Sequence, residues 1–225
     1  MSDIAMIKAK SLSLIRDGTA ILNEVTTHIS KGKITMLLGH NGAGKTILLQ
    51  ALHGIITPDS GVVTAPPPNT QKMVFQKPIL LRRSASQHFD FLCPHLSQKE
   101  KTKWFERAGL TNQMHTPARK LSGGEQQKLA FIGALASKPD LLFLDEPSAN
   151  LDFEASAKIE TLIEFAHNDG ATIIMTTHNM AQARRLADHV LFIDHGKLVE
   201  DRSAKDFFAN PLHDAAKTYI VHHRA

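Results

Sequence analysis

Apolar residues fall into two rhythms along this chain. Short, nearly unbroken runs at Ile34-Thr35-Met36-Leu37-Leu38, Leu141-Leu142-Phe143-Leu144, 172–176 and 190–193 have the length of strands buried on both faces of a parallel sheet. Between them, apolar positions recur three and four apart, as in Leu129, Ile132 and Leu135-Ala136, or Ile159, Leu162, Ile163 and Ala166. That spacing marks helices that bury one stripe. A helix is expected over 46–53, stopping near Gly54, and another from Asn179. Strands alternating with helices imply a parallel sheet covered on both sides.

Two regions depart from that rhythm. Residues 4–38 read as short strands with turns between them, and segments 13–15 and 20–25 flank the hairpin connection Arg16-Asp17-Gly18-Thr19. Residues 77–120 hold no strong strand and several helix starts. Ser97 and Glu100 form a capping box ahead of Trp104, Phe105 and Ala108, and Ser122 and Glu125 repeat the spacing. The stretch 57–68 is expected to be loop around a short strand at Val62-Val63, and 73–75 a further strand. A closing strand pair, 190–193 and 197–199, brackets Asp194-His195-Gly196, and two short helices follow, from Ser203 and beyond Pro211. The expected organisation is one α/β domain over 1–225, with a core from 1–76 and 121–225 and a helical insertion at 77–120.

Composition narrows the classes. With 225 residues and 42% hydrophobic content the chain can bury a sizeable core, which excludes wholesale disorder. The single cysteine, Cys93, rules out an internal disulfide and fits a reducing compartment. No run approaches the roughly 18–20 apolar residues of a membrane span, and the first fifteen residues alternate polar and apolar rather than forming a secretory leader. A net charge of +4 is scattered, with Arg82-Arg83 and Arg184-Arg185 as the tight arginine pairs, so no nucleic-acid partner is expected.

The chemistry begins after the first buried strand. Gly39-His40-Asn41-Gly42-Ala43-Gly44-Lys45-Thr46 fits a phosphate-binding loop placed between strand and helix. Glycines let the backbone wrap phosphates and offer N–H groups, and the helix start adds its positive dipole end. Lys45 supplies a charge at the β/γ-phosphates, and the Thr46 hydroxyl is placed to ligate Mg²⁺. The strand 141–144 ends in Asp145 and Glu146, which delivers one carboxylate to Mg²⁺ and the other to an attacking water. A nucleotide and Mg²⁺ are the expected ligands; the loop alone leaves kinases, GTPases, helicases and transport ATPases open, and the acidic strand end narrows that choice. His40 and Cys93-Pro94-His95 lack the clustered spacing of a zinc site.

Leu121-Ser122-Gly123-Gly124-Glu125-Gln126-Gln127 resembles the signature of the ATP-binding cassette (ABC) ATPases. Read from its residues alone, it is a second anion-binding helix start with no strand before it. The resemblance, carried by motifs between about residues 4 and 200, implies a phosphate-loop parallel-sheet core with an antiparallel N-terminal β-subdomain and the helical insertion. It implies that two copies pair head to tail, each nucleotide lying between the loop of one and Ser122, Gly123, Gly124 and Gln126 of the other. It also assigns Gln76 to Mg²⁺, water and the membrane partner, Ser148-Ala149-Asn150-Leu151-Asp152 to the dimer seam, and His178 to the γ-phosphate and to orienting Glu146. Where the family stacks an aromatic ring on adenine, this chain has Ile15 and Arg16, so Arg16 is the candidate base contact and GTP use stays open.

Such an ATPase sits on the cytoplasmic face of the cell membrane and drives a separate transmembrane permease, with an external solute-binding protein in an import system. The segment 77–84 is the candidate floor for the permease. Phe75-Gln76-Lys77-Pro78, Leu81-Arg82-Arg83-Ser84 and Gln182-Ala183-Arg184-Arg185-Leu186-Ala187-Asp188 resemble tungstate importer ATPases, with molybdate and phosphate importers close by. An exporter or lipid-extraction ATPase is the rival transport reading. A non-hydrolysing nucleotide sensor is the rival of another class.

Overall fold

Period-2 alternation in the central strands explains the layering. In the computed structural model, which describes residues 4–222, the chain opens with β1 (Ala5–Arg16) and β2 (Thr19–Ser30), an antiparallel hairpin. Asp17 and Gly18 make its two-residue turn with φ of 49° and 74°, the left-handed pair that matches strand twist. The connection is thus two residues shorter than the sequence suggested. The strands are also far longer, because bulges at Ser11 and Glu24, both at positive φ, interrupt the alternation without ending the pairing. β3 (Ile34–Leu38) then leads into α1 (Lys45–His53), which stops on left-handed Gly54.

β4 (Ser60–Thr64) returns to pair with β1, and β5 (Gln71–Val74) enters the main sheet, ending before Phe75. The insertion holds α2 (Ala85–Leu92) and α3 (Gln98–Ala108), each opened by a complete serine capping box, at Ser84 and Ser97. α4 (Gly123–Leu135), β6 (Leu141–Asp145), α5 (Phe153–Asn168), β7 (Thr172–Thr176) and α6 (Met180–Leu186) follow. β8 (His189–Asp194), β9 (Lys197–Ser203), α7 (Ala204–Ala209) and α8 (Asp214–His222) complete the described chain.

The main sheet runs β5-β6-β7-β3-β8-β9, parallel except for β9, and a smaller sheet runs β2-β1-β4. Every residue of β3, β6 and β7 is buried. Leu37, Leu141, Phe143, Ile174 and Leu191 face α1 and the small sheet. Their neighbours Met36, Leu142, Leu144, Ile173 and Val190 face the opposite layer with Leu129, Ile132, Ile159 and Leu162. At about 1.5–3 kcal/mol for each large aliphatic side chain taken from water, these two cores fix the register of the strand ends. Those ends carry the chemistry.

Candidate functional site

The carboxyl ends of β3, β6 and β7 converge, as ligand sites do in open parallel sheets. The loop after β3 cannot tolerate side chains at its entry. A Cβ on Gly39 would collide with the Ile193 carbonyl, and one on Gly44 would lie 2.8 Å from the Ile21 carbonyl. Gly44, at φ 105°, starts α1 with no side-chain cap, so the first amide groups of the helix stay open to an anion. The loop is tied down by Gly196, whose N–H donates to Ala43 and whose carbonyl accepts from Asn23.

Lys45 is almost fully buried, and its ammonium donates to the carbonyls of Gly39 (2.8 Å) and His40 (2.9 Å). Burial lowers its pKa, and the nearby Glu146 and Asp145 carboxylates offset part of that fall. A charge held there costs stability, and a group of that kind marks a candidate anion site. Thr46 Oγ1 donates to Asp145 Oδ1 at 2.9 Å, and Thr176 Oγ1 donates to the same oxygen at 2.8 Å. Gln76 is seen against Glu146 rather than against this pair, while Thr46 and Asp145 are hard oxygen donors. With one hydroxyl and one carboxylate side by side next to a phosphate loop, they suit Mg²⁺, which binds through one or two protein oxygens plus substrate phosphates and water. Among the described residues no three His, Cys, Asp or Glu side chains cluster as an all-protein cage.

Glu146 stands at φ 45°, a strained position for a side-chain-bearing residue. Its N–H donates to Thr176 Oγ1 at 2.9 Å, which holds the strained turn in place. The carboxylate is then gripped from two sides: His178 Nε2 lies 2.7 Å from Oε1, and Gln76 Nε2 donates to Oε2 at 3.2 Å. A cavity of about 670 Å³ opens on Gln76, Glu146, Ser148, Asn150 and His178. A base held by two neighbours on the wall of so roomy a cavity, beside a phosphate loop, can take a proton from a water in line with a terminal phosphate.

The remaining candidates lie elsewhere. Ser122, Gly123 and Gly124 start α4, where Ser122 Oγ accepts from the Glu125 N–H and Glu125 Oε2 accepts from the Ser122 N–H. Gln126 turns its amide back on the carbonyls of Leu121 (2.8 Å) and Arg119 (3.3 Å). The buried Gln127, outside the candidate set, donates to the Phe75 carbonyl, next to Gln76. Arg16 is exposed, 3.7 Å from Asp59, and Asp59 also accepts from the Ile15 N–H, so Ile15 presents an open aliphatic face. Asn41 and Gly42 form the exposed crest of the loop, and Ala43 is buried beneath it.

Three contributors escaped the sequence. Thr176 links Asp145 to the Glu146 backbone. Gln182, completely buried, accepts from Thr177 Oγ1 and donates to Ser148 Oγ, joining the segment before His178 to the loop after Glu146. Tyr219, on α8, meets His40 edge-on at 5.1 Å. The first two are short hydroxyl and amide side chains whose partners are distant in sequence, and no local spacing announces them.

Comparison with known proteins agrees with this geometry. A family model described as ABC transporter matches residues 22–149. The glutamate/aspartate import ATP-binding protein GltL of Escherichia coli (strain K12) is 31% identical over 239 residues, covering 96% of this chain and 98% of that protein. The phosphate import ATP-binding protein PstB of Pyrobaculum aerophilum is 33% identical over 247 residues, covering 97% and 98%. Among solved structures, cbiO1 from Clostridium perfringens, described as part of the ABC transporter complex cbiONQ, superposes with a TM-score of 0.79 at 29% identity, covering 93% of this chain and 92% of that one.

Proposed function

The chain belongs to the ABC transporter family as an ATP-hydrolysing subunit, and from that premise we propose an importer ATPase that works as a head-to-tail dimer beneath a separate permease. The observation that carries the hydrolytic assignment is Glu146 held between His178 and Gln76 beside the phosphate loop. Glu146 takes a proton from a water as its oxygen bonds to the γ-phosphorus and the bond to ADP breaks. His178 fixes the carboxylate, and Lys45 with the open amides of α1 stabilises the charge on the transferred group. Thr46 and Asp145 would hold Mg²⁺, with Gln76 the proposed third contact, and the ion would supply positive charge against the triphosphate. Turnover in wild-type protein and its loss in Glu146→Gln, with ATP retained and dimers accumulating, tests this role; unchanged turnover in that variant contradicts it.

Head-to-tail pairing is supported by Gly123. A Cβ there would meet nothing within 4 Å and its φ is ordinary, so the fold of one chain does not require glycine. A phosphate arriving from a second copy does. The described residues contain no helix long and apolar enough to cross a membrane, so transport needs another subunit. Its proposed seat is the cavity of about 280 Å³ between β5, residues 75–79 and α2, lined by Phe75, Pro78, Ile79 and Leu92 beside Gln76.

For the solute, a small oxyanion is the favoured class, tungstate before molybdate or phosphate. The segments around Gln76, Arg82-Arg83 and Arg184-Arg185 support it, as does similarity to a phosphate importer. An amino acid is the second reading, favoured by similarity to the glutamate/aspartate protein. Reconstitution with the permease and its receptor separates them: the reading predicts ATP turnover stimulated by tungstate, and stimulation by glutamate alone overturns it. A complex that extrudes solute or lipid without any receptor would instead establish the exporter.

A further inference from the structure

α8 is fastened at both ends. At its start, the buried Glu200 carboxylate accepts from the Leu212 and His213 N–H groups at 2.8 and 2.7 Å, and Arg202 donates to the Asn210 carbonyl at 2.9 Å. Near its far end Tyr219, 1% exposed, stands edge-on to His40 and to Phe192, with its hydroxyl close to the Gly39 backbone. Burial, with Glu146 adding to it, pushes the phenol up to about 12, so it is neutral at any working pH. One turn further, His222 lines the cavity that holds Glu146 and His178.

Gly39 and His40, both beside this tyrosine, are also the two residues whose carbonyls hold the Lys45 ammonium. Ring, loop entry and lysine therefore form one chain of contacts. The loop has glycines at positive φ at 39, 42 and 44, and such backbone is costly to order around a ligand. A rigid aromatic side chain fixed at its entry removes part of that cost before phosphate arrives.

We propose that Tyr219 is a positioning residue of the nucleotide site, bracing the entry of the phosphate loop and thereby setting affinity for ATP. It acts on binding through the loop entry rather than on the activation of water. The inference rests on the ATPase reading. A merely structural tyrosine would fill space between β8 and α7 and affect only stability. The two roles give different readouts.

The test compares Tyr219→Leu, Tyr219→Phe and Phe207→Leu in the full chain, reading Tm, equilibrium binding of a fluorescent ATP analogue, and KM against kcat. Phe207 packs on Phe192 and Phe208 in the same core, so its variant loosens that core from the side away from His40. Tyr219→Leu is expected to raise the Kd and KM about five- to tenfold with kcat within about twofold. Tyr219→Phe, which restores the ring, is expected to cut that to about twofold, and Phe207→Leu to lower Tm with Kd unchanged. Equal effects of Tyr219→Leu and Phe207→Leu on Kd, or a loss confined to kcat, overturn the proposal. If Tyr219→Leu does not fold, Tyr219→Met, which also removes the ring, takes its place beside Phe207→Leu: a Kd raised at least about fivefold by Tyr219→Met alone supports the brace, and a smaller or equal effect overturns it. Wild-type protein that binds no ATP would sink the ATPase reading instead, a result separable from both.

Discussion

Two helix starts in this molecule carry its candidate anion-binding residues, and they are built differently. α1 begins on left-handed Gly44 with no side-chain cap, within a loop whose Gly39 and Gly44 leave no room for a Cβ. α4 begins on Ser122 with its capping box closed by Glu125, and Gly123 stands in open space. The first end is shaped by its own chain and left unsatisfied, ready for phosphate. The second is satisfied by its own chain, yet carries a glycine the chain does not need. Stability and function are therefore separable at α4 and entangled at α1.

Removing the charge at the first end gives the largest effect. Lys45→Met is expected to lower ATP turnover about a thousandfold. Because burial lowers the lysine pKa, the folded state binds this proton less readily than the unfolded chain. The charged lysine thus destabilises the nucleotide-free fold at neutral pH, and that cost fades as pH rises through the lowered value toward 10.5. Calorimetry of Lys45→Met without nucleotide should show an unchanged or higher Tm; a clear drop would contradict this.

At the second end the balance reverses. Gly123→Asp adds a carboxylate in open space at a helix N-terminus, where the dipole favours it. Its Tm is expected to match wild type while turnover falls about a hundredfold, through repulsion of the partner-bound triphosphate. Retained turnover would remove the need for a second copy. Gly39→Ala sharpens the contrast, since its Cβ meets the Ile193 carbonyl and both Tm and turnover should fall.

Smaller effects follow from capping and protonation. Ser122→Ala loses the side-chain acceptor for the Glu125 N–H and is expected to cost about 1 kcal/mol in denaturant unfolding. His53 and His88 have pKa values lowered by burial, His53 also by Lys72. Below their unfolded value of 6.5 the unfolded chain binds these protons more readily, so stability falls as pH drops through 6.5 toward the lowered values. An acid titration of Tm with His53→Phe and His88→Phe should flatten that slope; an unaltered slope would place the acid sensitivity elsewhere.

Why the first end was legible and its supports were not follows from where the information lies. The buried strands, the glycine loop, Asp145-Glu146 and the serine caps are each written within a few adjacent residues, and local spacing reveals them. The N-terminal hairpin was only half legible, because bulges at Ser11 and Glu24 scramble an alternation that the pairing nevertheless continues through. Thr176, Gln182 and Tyr219 act across 31, 34 and some 180 positions of chain, with the first two separations set by bonds to Asp145 and Ser148. Only the folded sheet brings them together. The antiparallel placement of β9 likewise depends on the two-residue reversal at His195 and Gly196, both at positive φ.

The shared site is tested most directly by mixing two inactive proteins. Lys45→Met keeps a sound α4 start, and Gly123→Asp keeps a sound phosphate loop. If each triphosphate is enclosed by both ends from different copies, equal mixing regenerates one intact site in about half of the pairs, and turnover returns to about a quarter of wild type. If each chain hydrolyses alone, the mixture stays at the average of its two components, and the head-to-tail account is contradicted.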